Sequence, residues 1–384
     1  MREDHDGEPG SPDALEPRVR GFFVAEDRYM DMAFELAEQG RGRTHPNPLV
    51  GAVLVRDDEV VGRGYHRGPG EPHAEVVALR QAGAGASGAT LYCTLEPCNH
   101  HGRTPPCVEA ITAAGVARVV VARRDPNPLV DGRGLAALEA AGVTVDLQEA
   151  KYGRRARSQN AAFVKFHETG LPHVTYKAAV SLDGKVAAAG GDARWISCLE
   201  SRRIVHEMRA VADAVVVGAG TVRRDDPELT VRLSEGRDPV RVVVSRSGRL
   251  DAGAKVFDTT VAPTVVVSER LDADAAPLLR ARGVELIETG PDGLADGLRE
   301  LAGRGLLDLL CEGGPTLGAS VLGAGLIDRV TLFIAPMVIG SGAPELFAAP
   351  AVGAVSAAWR LDEVEARRVC DDLMLSGRPR RGGG

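Results

Sequence analysis

From Leu49 onward the chain alternates short aliphatic runs with amphipathic stretches, and this rhythm constrains its fold more than any single motif does. LVGAVLV and EVVGRGYH flank the polar RDDE and predict a β-hairpin, because apolar runs split by a turn-forming cluster pair with each other. Helix HAEVVALRQAG and strand ATLYCTLEP come next, and PPCVEAITAAG, ARVVVARR, GLAALEAAG and VTVDLQ continue as helix, strand, helix, strand. Upstream, Met30, Ala33, Phe34 and Ala37 share one helical stripe, with Asp27 as the predicted N-cap and Gly40 as the stop. Such an order packs helices onto a sheet over roughly 140 residues.

After the basic helical stretch YGRRARSQNAAFVKFHETG, Gly170 and Pro172 punctuate the chain and the alternation restarts. HVTYKAAVSLDG, DAVVVG, VRVVVS, TVVVS and VELIE predict strands, and DGLADGLREL predicts a helix ahead of the strands LLDLLCEGG and DRVTLFIAP. A chain of 384 residues, set against a norm of about 150 per domain, is expected to hold two α/β domains, at 25–170 and 171–377. Residues 1–24, rich in Pro, Gly and acidic groups, and 378–384 are expected to be mobile tails.

Composition closes off several classes of function. Hydrophobic residues at 44% with aromatics at 4% fit an aliphatic α/β interior. A formal charge of -7 gives no general attraction to nucleic acid or anionic membrane, so neither is an expected partner. No apolar run approaches the length of about 20 residues that spans a bilayer, and the opening residues lack a signal-peptide core, so a cytoplasmic chain is expected. Six cysteines are too sparse for a disulfide framework and read as metal ligands or buried thiols.

Three of the metal-binding type fall together in order: His73 at a predicted helix start, then Cys98 and Cys107, each directly behind a proline. Zinc takes imidazole and thiolate ligands, and a catalytic site keeps a fourth position for water. Glu75, two residues past the histidine, is placed to move that water's proton without ligating the metal. Helix starts favour thiolate over thiol, and Pro105 and Pro106 suit the first turn of the helix that carries Cys107. This is the H-x-E then P-C…C pattern of zinc nucleobase deaminases, with a longer separation between the cysteines than the common two residues. A structural zinc site would need a fourth protein ligand, for which His100 and His101 are the candidates; Cys93, Cys198, Cys311 and Cys370 read as small buried residues.

THPNPLVGAVLV, HAEVVAL, TLEPCNHHGRTPPC and DPNPLVDGRG resemble the deaminase half of the bifunctional riboflavin-biosynthesis deaminase/reductase family over nearly all of residues 27–150, and the long intercysteine loop belongs to that resemblance. It implies a cytidine-deaminase-like three-layer α/β/α domain, zinc on His73, Cys98 and Cys107, proton transfer by Glu75, and a phosphoribosylated diaminohydroxypyrimidine substrate. Asn47 of HPNP resembles an asparagine that such folds use to hold the base or ribose; a turn residue between prolines is the other reading.

The second half reads less directly. VVVGAGTVRRDDP has glycines after a strand but no G-x-G-x-x-G, while CEGGPTLGAS forms a glycine-rich strand-to-helix turn able to offer free amides to a phosphate. In this order KAAVSLDGKVA, TVRRDDPELTVR, CEGGPTLGASVLGAGLIDRV and IAPMVIG resemble the dihydrofolate-reductase-like reductase half of the same family, from about residue 173 to the end. The resemblance implies NADPH reduction of a ribosyl group to ribityl and a homo-oligomer. It places Ala179, Trp195, Thr221, Asp225 and the turn Gly314, Pro315, Thr316, Leu317, Gly318, Ala319 and Ser320 at the cofactor. It places Lys177, Asp183, Ala193, Arg209, Leu229, Arg232 and Glu312 at the phosphoribosyl substrate, with the two arginines as the phosphate clamp. A nucleic-acid-editing deaminase with an added recognition module, and a binding protein with structural zinc, are the alternatives. The acidic balance opposes the first and the intact Glu75 opposes the second.

Overall fold

The structure, a computed structural model, describes residues 17–102, 105–349 and 351–382, with side chains from residue 27. Contacts divide it into two compact units, 1–44 with 49–160 and 45–48 with 161–384.

The first unit runs α1 (Pro17–Glu38), β1 (Gly51–Arg56), β2 (Glu59–Tyr65), α2 (Ala74–Ala82), β3 (Thr90–Cys93), α3 (Cys107–Ala113), β4 (Arg118–Val121), α4 (Arg133–Ala140), β5 (Thr144–Leu147) and α5 (Glu149–Gln159). Its sheet has the order β2-β1-β3-β4-β5, antiparallel through β2, β1 and β3 and parallel through β3, β4 and β5. The predicted hairpin turns on Asp57 and Asp58, both at positive φ, the backbone that a tight two-residue hairpin loop demands. Strand periodicity then sorts the core into two layers. Ala52, Leu54, Leu91 and Cys93 pack against Ala74, Ala78, Cys107 and Ile111 from α2 and α3. Val53, Val55 and Tyr92 face Met30, Ala33 and Phe34 of α1 and Tyr152 and Ala156 of α5. Helix α1 begins at Pro17, upstream of the expected N-cap Asp27 and within the stretch expected to be a tail. A proline in a first turn gives up no intrahelical hydrogen bond. Residues 1–16 lie outside the described part of the chain.

The second unit comprises α6 (Ala161–Thr169), β6 (His173–Ser181), α7 (Leu199–Val211), β7 (Ala214–Gly218), α8 (Ala219–Asp225), β8 (Val240–Ser245), β9 (Thr264–Ser268), α9 (Ala275–Ala281), β10 (Glu285–Glu288), α10 (Leu294–Gly303), β11 (Asp308–Cys311), α11 (Pro315–Gly323), β12 (Arg329–Ala335), β13 (Arg360–Val369) and β14 (Asp372–Arg380). The nine strands lie in the order β10-β9-β8-β7-β11-β6-β12-β14-β13, parallel from β10 to β12 and antiparallel in the last pairs. Val174, Tyr176, Val216, Val242, Val267 and Leu309 fill one face under α10 and α11; Val215, Val217, Val243 and Val266 fill the other. These strands read as continuous aliphatic runs because both faces are covered. Helix α6 groups with this unit, upstream of the break expected at Gly170: Ala162 packs on Ala302 and Leu307, and Lys165 pairs with Asp328 at 2.5 Å. The closing hairpin carries β14 to Arg380, into the stretch expected to be a tail, and its outer strand β13 is exposed along Glu363–Arg368. Among the described residues no helix is long and apolar enough to cross a membrane.

Candidate active sites

In the first unit the backbone does most of the positioning. Helix α2 lies against β2 so closely that a Cβ on Gly64 would stand 2.1 Å from the Ala74 carbonyl oxygen; only glycine permits the approach. That fixes the α2 N-terminus, with His73 as its N-cap and Glu75 buried in its first turn. Cys98 follows β3 in a turn organised by Glu96, a side chain only 4% exposed. Glu96 Oε2 accepts from the amides of Asp125 at 3.2 Å and Gly132 at 3.0 Å, and Oε1 accepts from Gly134 at 2.9 Å and Leu135 at 3.3 Å. One carboxylate thereby satisfies the orphan amides at the start of α4. Cys107 opens α3, and the Val108 amide donates to the Cys98 carbonyl at 3.2 Å.

These constraints bring three donor atoms together. His73 Nδ1 lies 3.1 Å from Cys107 Sγ and 3.4 Å from Cys98 Sγ, and all the ligand atoms of the trio fall within 4.8 Å of one another. Zinc bond lengths of about 2.1 Å to nitrogen and 2.3 Å to sulfur give a tetrahedral edge of about 3.6 Å, so the donor set fits that ion. Cys98 is held well below the usual thiol range, first by a hydrogen bond from the Cys107 thiol and then by His73. Burial raises the Glu75 carboxyl above its ordinary value, a bias toward holding a proton. Among the described residues neither His100 nor His101 joins the group; His101 instead faces Glu109 at 3.4 Å. Among the described residues the trio has no fourth protein ligand, the arrangement of a catalytic rather than a structural site.

His66 was not anticipated. Its ring meets that of His73 edge-on at 5.3 Å, it is buried, and burial lowers its pKa. A lone histidine at the end of GYH carries no signal by itself. Asn47 stands in the His45–Pro48 segment that groups with the second unit. Cys93 and Cys311 are buried as expected, whereas Cys198 is a half-buried N-cap of α7 and Cys370 is exposed in the turn between β13 and β14. Helix starts and tight turns place short polar side chains at the surface, which corrects the reading of those two.

In the second unit the charged residues collect at the C-terminal edge of the parallel strands, where open α/β sheets bind ligands. Tyr176 of β6 pairs with Cys311 of β11, so the next residues along, Lys177 and Glu312, emerge side by side. Lys177 Nζ lies 3.7 Å from Glu312 Oε2, and Arg209 of α7 grips the same carboxylate through Nε and Nη2, at 2.5 and 3.0 Å. Burial alone would raise the Glu312 carboxyl; the Arg209 and Lys177 charges outweigh it and hold it at about 2. Lys177 is lowered by its own burial. Arg209 also donates to Thr230 O at 3.0 Å. Arg232 is half exposed and bonds Glu228 at 2.9 Å and Thr230 Oγ1 at 2.7 Å.

The turns after β7 and β11 meet beside this cluster. A Cβ on Gly314 would lie 3.6 Å from Thr221 Oγ1, and one on Gly218 would lie 3.6 Å from Leu317 Cβ. Pro315 and Thr316 begin α11, whose first-turn amides lack intrahelical partners and suit a phosphate. Leu317 and Gly318 face the core, while Ser320 is exposed and its hydroxyl donates to Thr316 O at 2.9 Å. Ala319 sits beyond that first turn, and Ala179 pairs with Phe333 along β6. Trp195 is 64% exposed with the Arg202 guanidinium 4.0 Å over its ring, and Ala193 lies in the same exposed bend. Asp225 closes α8, its carbonyl accepting from Arg194 at 3.4 Å.

Two further residues expected at the substrate have partners within the protein. Asp183 accepts from Ser181 Oγ at 2.6 Å, Ile339 N at 3.0 Å and Gly340 N at 2.8 Å; these bonds, the first above all, hold its carboxyl at about 2. The Leu229 side chain is buried in the core at positive φ. Sequence could not show the Ile339 and Gly340 amides on Asp183 or the burial of Leu229, because those contacts come from distant segments.

A metal trio facing a buried carboxylate in one unit, and a cationic cluster beside two helix starts in the other, define the class: a zinc-dependent deaminase joined to a reductase. Comparison with known proteins agrees in both halves. Residues 24–123 match the cytidine and deoxycytidylate deaminase zinc-binding region, and residues 172–375 match the RibD C-terminal domain. The chain is 44% identical over 318 residues to the riboflavin biosynthesis protein RibD of Aquifex aeolicus, covering 83% of this chain and 88% of that one. It is 40% identical over 369 residues to RibD of Escherichia coli, covering 92% and 99%. A solved Thermotoga maritima structure, described as a diaminohydroxyphosphoribosylaminopyrimidine deaminase/5-amino-6-(5-phosphoribosylamino)uracil reductase, superposes with a TM-score of 0.83 at 35% identity, covering 94% and 100%. The chain belongs to the RibD family of riboflavin-biosynthesis deaminase/reductases.

Proposed function

We propose that the chain performs both reactions in the name of its Thermotoga maritima relative: deamination of a diaminohydroxyphosphoribosylaminopyrimidine, then NADPH reduction of the ribosyl group of the resulting aminouracil to a ribityl chain. The observation that carries the reading is the presence in one chain of the His73, Cys98 and Cys107 trio with buried Glu75 and of the Lys177, Glu312 and Arg209 cluster.

Zinc held by the trio supplies Lewis acidity that makes water nucleophilic near neutral pH. Glu75 takes the proton of the attacking water and delivers it to the departing amine, a shuttle favoured by a carboxyl that burial biases toward protonation. His66, packed against His73, is positioned to meet the polar edge of the base.

In the reductase unit NADPH supplies the hydride. The amides at the start of α11, with Thr221 beside them, hold a cofactor phosphate, and exposed Trp195 offers an apolar face to the cofactor. Lys177 orients the sugar and serves as proton donor to the oxygen that leaves the anomeric carbon. The two arginines divide the remaining work. Arg209 is committed to Glu312 in a buried, bidentate pair that is costly to break, whereas the exposed Arg232–Glu228 pair is cheap to exchange for a phosphate. Arg232 is therefore the phosphate-binding group, and Arg209 sets the geometry of Glu312. One preparation assayed for zinc content, ammonia release from the aminopyrimidine and NADPH consumption tests the whole reading; zinc-loaded protein that releases no ammonia would refute it.

A further inference from the structure

Residues 226–239, which include Leu229 and Arg232, form neither helix nor strand, so their backbone polar groups must find partners outside a sheet ladder. Two of those partners come from a single face of α7. Arg209 Nη1 donates to Thr230 O at 3.0 Å, and the Arg232 amide donates to His206 Nδ1 at 2.9 Å. His206 and Arg209 are three residues apart on the helix and so lie on one face. The Thr230 carbonyl and the Arg232 amide are two residues apart and both turn to this face of α7, as they would in extended chain. One donor and one acceptor offered to that pair is what an adjacent β-strand would offer, and here helical side chains replace the strand.

We infer that His206 is a positioning residue of the reductase site: by accepting the Arg232 amide it fixes the Leu229–Arg232 segment in the register that aims the Arg232 guanidinium at the substrate phosphate. This rests on the assignment of Arg232 made above. An imidazole accepting at Nδ1 carries its proton on Nε2, which makes it a neutral acceptor. The surroundings keep it so: His206 is only 7% exposed, and burial, then Arg209 and Arg232, and least of all Lys177, lower its pKa to about 4 against the opposing pull of Glu312. At its other end the segment is anchored by the buried Leu229 side chain, 4% exposed, and at its middle by Arg209 on Thr230 O, so the His206 bond is the pin nearest the Arg232 side chain.

The test compares His206→Leu, which keeps bulk and removes the acceptor, with His206→Asn, whose side-chain oxygen falls near the place of Nδ1, both in the full chain. Steady-state kinetics of the reductase should show His206→Leu raising KM for the phosphoribosylaminouracil about tenfold, the effect of one unsatisfied buried amide, with kcat and the KM for NADPH within about twofold. His206→Asn should recover most of that loss, and ammonia release by the other unit should be unchanged in both. Arg232→Ala separates the two claims. If it leaves the substrate KM unaltered, the phosphate assignment fails. If it raises KM while His206→Leu does not, the positioning role fails and the assignment stands. Equal losses in His206→Leu and His206→Asn, with both variants folded by circular dichroism, would also overturn the inference, since a structural role needs no acceptor.

Discussion

Glu96→Gln is a nearly isosteric change that should disable the deaminase unit without touching a metal ligand. The carboxylate accepts four backbone amides, two on each oxygen. A glutamine keeps one oxygen and replaces the other with an NH2 group, so whichever way it sits, two buried amides lose their acceptor and face a donor. At about 1–3 kcal/mol for each unsatisfied group, the cost is about 2–6 kcal/mol, a large part of the 5–15 kcal/mol that holds a typical domain together. The strain falls on the turn that presents Cys98, because a Cβ on Gly134 would stand 1.9 Å from the Pro97 carbonyl oxygen and α4 therefore has no slack against that turn. Thermal unfolding followed by circular dichroism should show the deaminase transition lowered by on the order of 10 °C. A chromophoric chelator should draw zinc from the variant faster than from the parent. A variant that unfolds within about 2 °C of the parent and releases zinc at the same rate would refute the idea that this carboxylate organises the metal turn.

Glu75→Gln should keep one zinc per chain by atomic absorption while ammonia release falls by about 10²–10⁴-fold, since proton transfer is lost and the ligands are not. Gly64→Ala should push α2 off β2, because the added methyl would sit 2.1 Å from the Ala74 carbonyl oxygen; a loss of about 2–4 kcal/mol in urea unfolding and a lower zinc stoichiometry are expected. His206 has a folded pKa lowered from 6.5 to about 4, so between those values the unfolded chain binds more protons than the native one. Its contribution to stability is therefore complete above about pH 6.5 and falls as pH drops toward about 4. His206→Asn should flatten that part of the pH–stability curve of the reductase unit, and an unchanged slope would contradict the assignment.

The sequence was most legible where chemistry or periodicity is local. Asp57 and Asp58 sit in a polar turn between two apolar runs, and the structure bends the chain there. His73, Cys98 and Cys107 declared themselves by residue type, because so few side chains bind zinc, and the fold brings them together. What stayed hidden depends on partners far along the chain. Glu96 looks like any glutamate before a proline; its four amides lie 29–39 residues away. His206 reads as one polar residue in an amphipathic helix until Arg232 folds back onto it. The β13–β14 hairpin was missed for another reason: RLDEVEARRV lacks the apolar alternation of a half-buried strand, since its middle faces solvent on both sides.

That charged last strand sets a boundary condition on how copies of this molecule meet. Glu363, Glu365, Arg367 and Arg368 line one margin of the nine-stranded sheet, and at the other margin β10 spans four residues and begins and ends on an exposed glutamate. Neither margin offers the long, flat, greasy template on which another polypeptide adds itself, a common route from a wide sheet to an aggregate. Assembly by edge-on zippering of this sheet is thus disfavoured at both ends.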